Sequence, residues 1–510
     1  MKRHHRLGAA AAVLLLPAAA SASPPGPGGQ PAQLKGEFEV FPSGLRLVVY
    51  EQPGAAESMF ATSYRVGASD DPAGKEGVAY LAERLAARAG NALRSRGVRL
   101  DGSSGRDHTD FWEIGRPGEL DPLIALEAER MKDPLAGVDA KEFLAEREAA
   151  MAALRDGIER DPANTQIGWL LEAAFPGHPY GRPVLGTAES LGRIGLEDVR
   201  AFVREHYTPQ RAVLVLWSPR PAREAARAVA ARFGALAVPA SVVRSAPVVR
   251  VPPSFPSDPP EDGPLPVRRA AVAGPRLWVG WAVPGDCSGS TPLAFAASRA
   301  LGELLHLRFS RPDAQAMVRS HEVRLETLDG LSVILASFDL RREEDAPSVL
   351  ETVKDGLVDL LAAPERSIPF TAVAGERDNS PAHEWSSGSW AFTPKERPYT
   401  LETLASENEH ARSEMRFLAS LGAASRALLA ARHALEVERL HAPAFAQFLR
   451  TTGEPDFVAG YPRAVAASLS GSLDAYAARY LTRRRALAML IAPDRDAAQA
   501  LAPTRPGPPK

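Results

Sequence analysis

Three Glu-x-x-His pairs, Glu303/His306, Glu407/His410 and Glu438/His441, stand in stretches that read as helix. At that spacing a carboxylate and an imidazole share one helical face. Two such pairs with two further glutamates can hold a di-iron centre in a four-helix bundle. The spacing is also common on exposed helices, and that plainer reading is preferred. Cys287, in Gly285-Asp-Cys-Ser-Gly289, is the only cysteine and lies in no Cys/His motif, so it reads as packing rather than as a nucleophile. A single cysteine excludes an intramolecular disulfide and an all-cysteine metal cluster. No Gly-rich phosphate loop or basic-aromatic nucleic-acid signature occurs. The 510 residues carry 60 Lys and Arg against 62 Asp and Glu, a net charge of −2, so no positive field gathers nucleic acid or an anionic membrane. The Trp385-Ser-Ser-Gly-Ser-Trp390 stretch reads as a surface loop, with an interaction role as the alternative.

The elements that must position any chemistry fall into two halves. Residues 1–22 read as a secretory signal peptide: Lys2, Arg3 and Arg6, then the apolar run Leu7 to Ala20, then small residues. The expected location is therefore periplasmic or secreted. Residues 23–35 read as a flexible spacer, 247–266 as a linker with eight prolines, and 498–510 as a disordered tail. Between them lie an N-terminal half, 36–246, and a C-terminal half, 267–497. The stretches Thr208 to Pro219 and Thr482 to Pro493 share Thr, Arg, Ala, Leu and Pro at matching places. Each is a buried-strand pattern behind an amphipathic helix, Leu196 to His206 or Leu473 to Tyr480, which suggests one duplicated α+β unit. Further expectations are a strand-turn-strand over Phe38 to Glu51, strands at Ser63 to Gly67 and Phe111 to Ile114, and helices at Val78 to Ala89, Asp121 to Lys132 and Asp139 to Arg155.

Several stretches, in this order, carry a family likeness: Gly44-Leu-Arg-Leu-Val-Val49, Val66-Gly-Ala-Ser-Asp-Asp-Pro72, Gly77-Val-Ala79, Leu126-Glu-Ala-Glu-Arg-Met131 and Phe175-Pro-Gly-His-Pro-Tyr-Gly-Arg-Pro-Val-Leu-Gly-Thr187. The last is the most specific. His178 within it reads as structural. The order resembles the pitrilysin/insulinase-type zinc metallopeptidases. The likeness covers residues 36–220 well and 270–495 in outline. It implies an α+β fold of two homologous halves, each an antiparallel sheet plus helices, forming a clamshell around a chamber.

Active members of that family carry His-x-x-Glu-His on the helix after the Gly-x-Ala, two imidazoles holding zinc and the Glu activating water. Here the segment reads Tyr80-Leu-Ala-Glu83-Arg84. Arg84 has no lone pair for a metal, Tyr80 alone is a poor ligand, and Glu83 is a vestigial general-base position. By resemblance the third ligand position is Glu146, or Glu142 one turn away. The preferred reading of Glu83 and Arg84 is solvated or locally paired charge. The alternative has Arg84 in the vacated metal site, paired with Glu83 or Glu146 and cross-linking two helices in place of zinc. The family's substrate-binding Arg would fall near Arg308 or Arg311, while Met317 stands where its Tyr would be.

The expectation is a zinc-less pseudopeptidase with no cofactor, the partner subunit of an active zinc peptidase, helping to form a peptide-binding chamber. A non-proteolytic peptide-binding scaffold and a metalloendopeptidase with an atypical site are the alternatives. Metal content and chelator-sensitive cleavage separate them.

Overall fold

The computed structural model describes residues 36–51, 53–160, 162–236, 263–270, 272–284, 311–328, 331–362 and 472–494, together with helical positions 294, 297–298, 301–302, 305–306 and 308–309. The signal and spacer, most of the Pro-rich stretch, the tail, Cys287, Glu303, Trp385 to Trp390 and both downstream Glu-x-x-His pairs lie outside the described residues.

The first half forms a six-stranded sheet in the order β1-β2-β6-β3-β5-β4. Its strands are β1 Gly36–Val40, β2 Arg46–Glu51, β3 Ser58–Tyr64, β4 Arg99–Ser104, β5 Thr109–Gly115 and β6 Ala212–Ser218. The central strands β2 and β6 are parallel to each other and read as near-continuous apolar runs because both faces of the sheet are covered. Helices α1 Val78–Ala87, α2 Asn91–Arg94, α3 Leu120–Lys132, α4 Ala140–Arg160, α5 Pro162–Ala174, α6 Ala188–Arg193, α7 Leu196–His206 and α8 Ala222–Phe233 follow the chain. One core lies between the sheet and α1, α3, α7 and α8. Inside it Arg130 of α3, 2% exposed, bonds to Glu113 of β5 at 3.0 Å and to Glu127, which also accepts the Thr62 hydroxyl. Burial, then the neighbouring Glu127, pushes the Glu113 carboxyl well above its ordinary pKa.

The second half repeats the plan. Strands β7 Val267–Ala270, β8 Arg276–Pro284, β9 Val318–Leu328, β10 Leu331–Leu340 and β11 Leu487–Pro493 form a sheet in the order β7-β11-β8-β10-β9. Strand for strand this matches β2-β6-β3-β5-β4. The pairs β2/β6 and β7/β11 are parallel and the other neighbours antiparallel. Helices α9 Pro312–Gln315, α10 Ala346–Ala362 and α11 Ser472–Tyr480 belong to it. The two closing strands align with the offset the sequence suggests: each follows a 3-10 turn, Pro209–Arg211 or Arg483–Arg485.

A further core joins the halves. Ile167, Leu170 and Leu171 of α5 pack on Trp278, Val333, Leu335 and Ile491 of the second sheet. The Trp278 indole donates to Gln166 at 2.8 Å, and Arg268 pairs with Glu172 at 3.0 Å while lying over the Trp169 ring. The third strand differs from expectation, running over 58–64 rather than 63–67. The backbone turns away after Tyr64 because Gly67 N–H donates to Asp70, and Ala68 and Ser69 N–H to the 105–106 carbonyls.

Candidate functional site

The start of α1 is fixed from two directions. The Asp71 carboxylate accepts the N–H groups of Gly77 at 2.6 Å and Ala79 at 2.9 Å, supplying a cap from outside the helix. Burial raises its pKa to about 7, against those two hydrogen bonds. Gly77 has φ +98°, and a Cβ there would lie 2.8 Å from Leu191 Cδ2 and 2.9 Å from the Leu185 carbonyl, so only glycine fits. The 175–187 turn thus packs directly under the helix start. Ser190 Oγ donates to the Glu76 carbonyl at 2.7 Å, and Lys75 pairs with Asp198 at 2.6 Å. His178 caps a 3-10 turn, its Nδ1 accepting the Tyr180 N–H at 3.1 Å.

Val78, Leu81, Ala82 and Leu85 of α1 enter the core, which turns Tyr80 and Arg84 toward α4. Four residues apart, they lie one turn above the other on one face. Arg84 Nη1 donates to the Tyr80 hydroxyl at 2.9 Å, and its Nε donates to Glu146 Oε1 at 2.5 Å. One turn on, Arg88 donates to Glu142 at 2.7 Å and lies 3.9 Å from the other Glu146 oxygen. Glu142 and Glu146 therefore face Arg88 and Arg84 as a two-step ladder between α1 and α4. The α4 start is capped by Asp139, which accepts the Glu142 N–H at 2.8 Å. Burial works against the Arg84 charge, but the Tyr80 oxygen and the Glu146 carboxylate outweigh it and raise its pKa. Burial also raises the Tyr80 pKa, keeping the phenol protonated.

Glu83 is turned elsewhere. It is 6% exposed, not solvated, and its carboxyl lies over Gly102 of β4, where a Cβ would come within 2.3 Å of Oε1. No hydrogen bond or ion pair among the described residues holds it. Burial, with Asp101 and Glu146 adding to it against Arg84, raises its pKa to about 8. Burial raises the Asp101 pKa as well. The site thus offers a neutral carboxylic acid at pH 7 beside a guanidinium already engaged.

Zinc needs three or four lone-pair donors converging at about 2.0–2.3 Å. At the positions that the sequence resemblance would assign to metal ligands, Tyr80, Arg84 and Glu146 present a protonated phenol, a guanidinium and a carboxylate held by that guanidinium. These residues do not fit the ion. Among the described residues no three His, Cys, Asp or Glu converge on a metal position elsewhere. His306, the described member of its Glu-x-x-His pair, faces His321 with ring centroids 6.0 Å apart in an aromatic cluster with Phe309.

Tyr80, Arg84 and Glu146 are brought together. Arg308 and Arg311 lie in the other half, Arg311 exposed and immediately before α9. Met317 packs on the second core. The sequence reading missed Asp71 and Arg88. Arg88 carried a signal, standing four residues beyond Arg84 on the same face. Asp71 carried none, because a carboxylate six residues ahead of the N-cap Gly77 follows no spacing rule.

No family model matches the chain. An uncharacterised zinc protease of Mycobacterium leprae is 27% identical over 186 residues, 34% of this chain and 41% of that protein. Subunit 1 of the mitochondrial cytochrome b-c1 complex of Mus musculus is 25% identical over 187 residues, 35% of this chain and 38% of that protein. The chain therefore spans about two fifths of the length of the curated relatives it matches. Solved structures cover far more of it. The inactive domain of an M16 peptidase from Pseudomonas fluorescens covers 90% of this chain and 98% of its own, with a TM-score of 0.64 and 14% identity. Pitrilysin covers 90% of this chain but only 45% of its own, with a TM-score of 0.58 and 15% identity.

Proposed function

We propose that this chain, a homologue of the pitrilysin/insulinase-type zinc peptidases with their α+β fold, is a non-catalytic, zinc-less member that serves as partner subunit to an active zinc peptidase. The observation that carries this reading is the Arg84 guanidinium, bonded to both Tyr80 and Glu146 where the active family holds its metal. A permanent cation with no lone pair closes that position to zinc. Its bonds to α1 and α4 supply the cross-link between helices that a metal supplies in the active family. No cofactor is assigned.

Pairing is supported by size. The matched unit accounts for 45% of pitrilysin, which supports a chamber completed by a second such unit. The peptide lies between the two subunits, with Arg308 and Arg311 as candidate contacts to its backbone. The signal-like pattern of residues 1–22 supports a periplasmic or extracellular location for the pair.

The test is affinity purification of the full chain from its native host, followed by peptide cleavage assays on the recovered material. Recovery of a chain bearing His-x-x-Glu-His, whose cleavage rate rises when this chain is added, is the expected result. Recovery of this chain without any such peptidase counts against it. Bound but intact peptide, with every copurifying chain present, would establish the scaffold reading instead.

A further inference from the structure

Between β4 and β5 the chain turns through residues 105–108, and this hairpin end is held against two other segments. On one side lies the 3-10 turn Ala68–Asp70. Ala68 N–H donates to the Gly105 carbonyl at 3.0 Å, Ser69 N–H to the Arg106 carbonyl at 2.9 Å, and the Ser69 hydroxyl to that same carbonyl at 2.6 Å. A Cβ at Gly67 would stand 2.5 Å from the Gly105 carbonyl oxygen and 2.6 Å from that of Arg106, so no slack separates the two segments. On the other side the Arg106 side chain reaches the seam between the halves. Its Nε donates to the Tyr180 carbonyl at 3.1 Å, and a Cβ at Gly168 of α5 would lie 3.9 Å from its Nη2. Tyr180 itself packs in the core that α5 shares with the second sheet. Burial works against the Arg106 charge, and the Glu326 carboxylate of β9, in the second half, acts to retain it.

These contacts close a loop on Asp71, whose carboxylate caps α1. One arm runs from Arg106 through Ser69, two residues ahead of Asp71. The other runs through Tyr180 to Arg182, whose Nη1 donates to the Asp71 carbonyl at 2.6 Å. We propose that Arg106 links the two halves mechanically, so that displacement of the second sheet is felt as loosening at the start of α1. Short hydrogen bonds and close-packed backbone carry such coupling because neither can stretch far without breaking. The link uses none of the residues at the zinc position and does not depend on pairing with a peptidase.

Hydrogen–deuterium exchange of the full chain, read over residues 77–87, tests it. Glu326→Gln should speed exchange there at least about threefold while β6 is unchanged. In an Arg106→Met background the same Glu326→Gln should add nothing, because the link is already cut. Arg106→Gln takes the place of Arg106→Met if the latter fails to fold. Asp71→Asn calibrates the measurement by showing the speed that loss of the cap itself produces. Exchange over 77–87 indifferent to Glu326→Gln overturns the proposal. So does an equal effect with and without Arg106, or an increase shared evenly by β6, which marks general destabilisation.

Discussion

At the residue scale Arg84 ties α1 to α4 through Glu146. A charge-assisted bond of this kind, partly buried, contributes about 1–3 kcal/mol. Glu146→Gln and Arg84→Met should each lower stability by about that amount, and a double-mutant cycle in denaturant should show coupling between them. A cycle with zero coupling would mean the pair is incidental. Replacing Tyr80 and Arg84 together by His should create a zinc site with Glu146, detectable as metal retained after dialysis. Glu83 gives a prediction of opposite character. Its folded pKa of about 8 exceeds the unfolded carboxylate value, so the folded chain holds an extra proton between about pH 4.5 and 8. That contribution is complete below pH 4.5 and is lost as pH rises through 8. Melting curves of Glu83→Gln should therefore gain on the parent as pH is raised from 5 to 8. His321, held down to about pH 4 by burial and His306, has the reverse sign, its contribution being lost as pH falls from about 6.5 to 4. His321→Gln should flatten that acid limb alone.

At the element scale the helix start at Val78 and the seam at α5 are the features that position everything else. Gly77→Ala forces a Cβ onto a φ of +98° and into the 175–187 turn, and should cost about 1–3 kcal/mol, read as a lowered denaturant midpoint. Elements with strong periodicity were legible in the sequence: the helix over 196–206 has the bounds expected, and the helix from Val78 stops only two residues short of expectation. Strand β4 was not. Its sequence, Arg-Leu-Asp-Gly-Ser-Ser, is an edge strand without apolar alternation, placed by its antiparallel backbone pairing with β5 from Arg99↔Ile114 to Ser104↔Thr109. Nor was α5 legible. Its apolar residues look toward the second sheet, and no pattern within 162–174 tells which half they serve. The choice between Glu142 and Glu146 was open for the same kind of reason: both face α1, one turn apart, and only packing shows that Glu146 meets Arg84 while Glu142 meets Arg88.

At the scale of the whole molecule, two copies of one sheet-and-helix plan share a core built by α5. Leu171→Ala removes buried contacts from that seam and should destabilise the chain by about 2–5 kcal/mol. If the halves unfold as one unit, a single transition should shift as a whole; two transitions would show that the seam is weaker than its packing indicates. In the proposed function, the helix that would hold zinc in the active family here carries Arg84, bonded to Tyr80 and Glu146. The most direct measurement is metal content and peptidase activity of the purified chain alone. Zinc far below one equivalent, and no cleavage of an unfolded peptide with or without added zinc, are the expected results. Stoichiometric zinc that disappears on substitution of Glu146, together with chelator-sensitive cleavage by this chain alone, would contradict a zinc-less, non-catalytic chain.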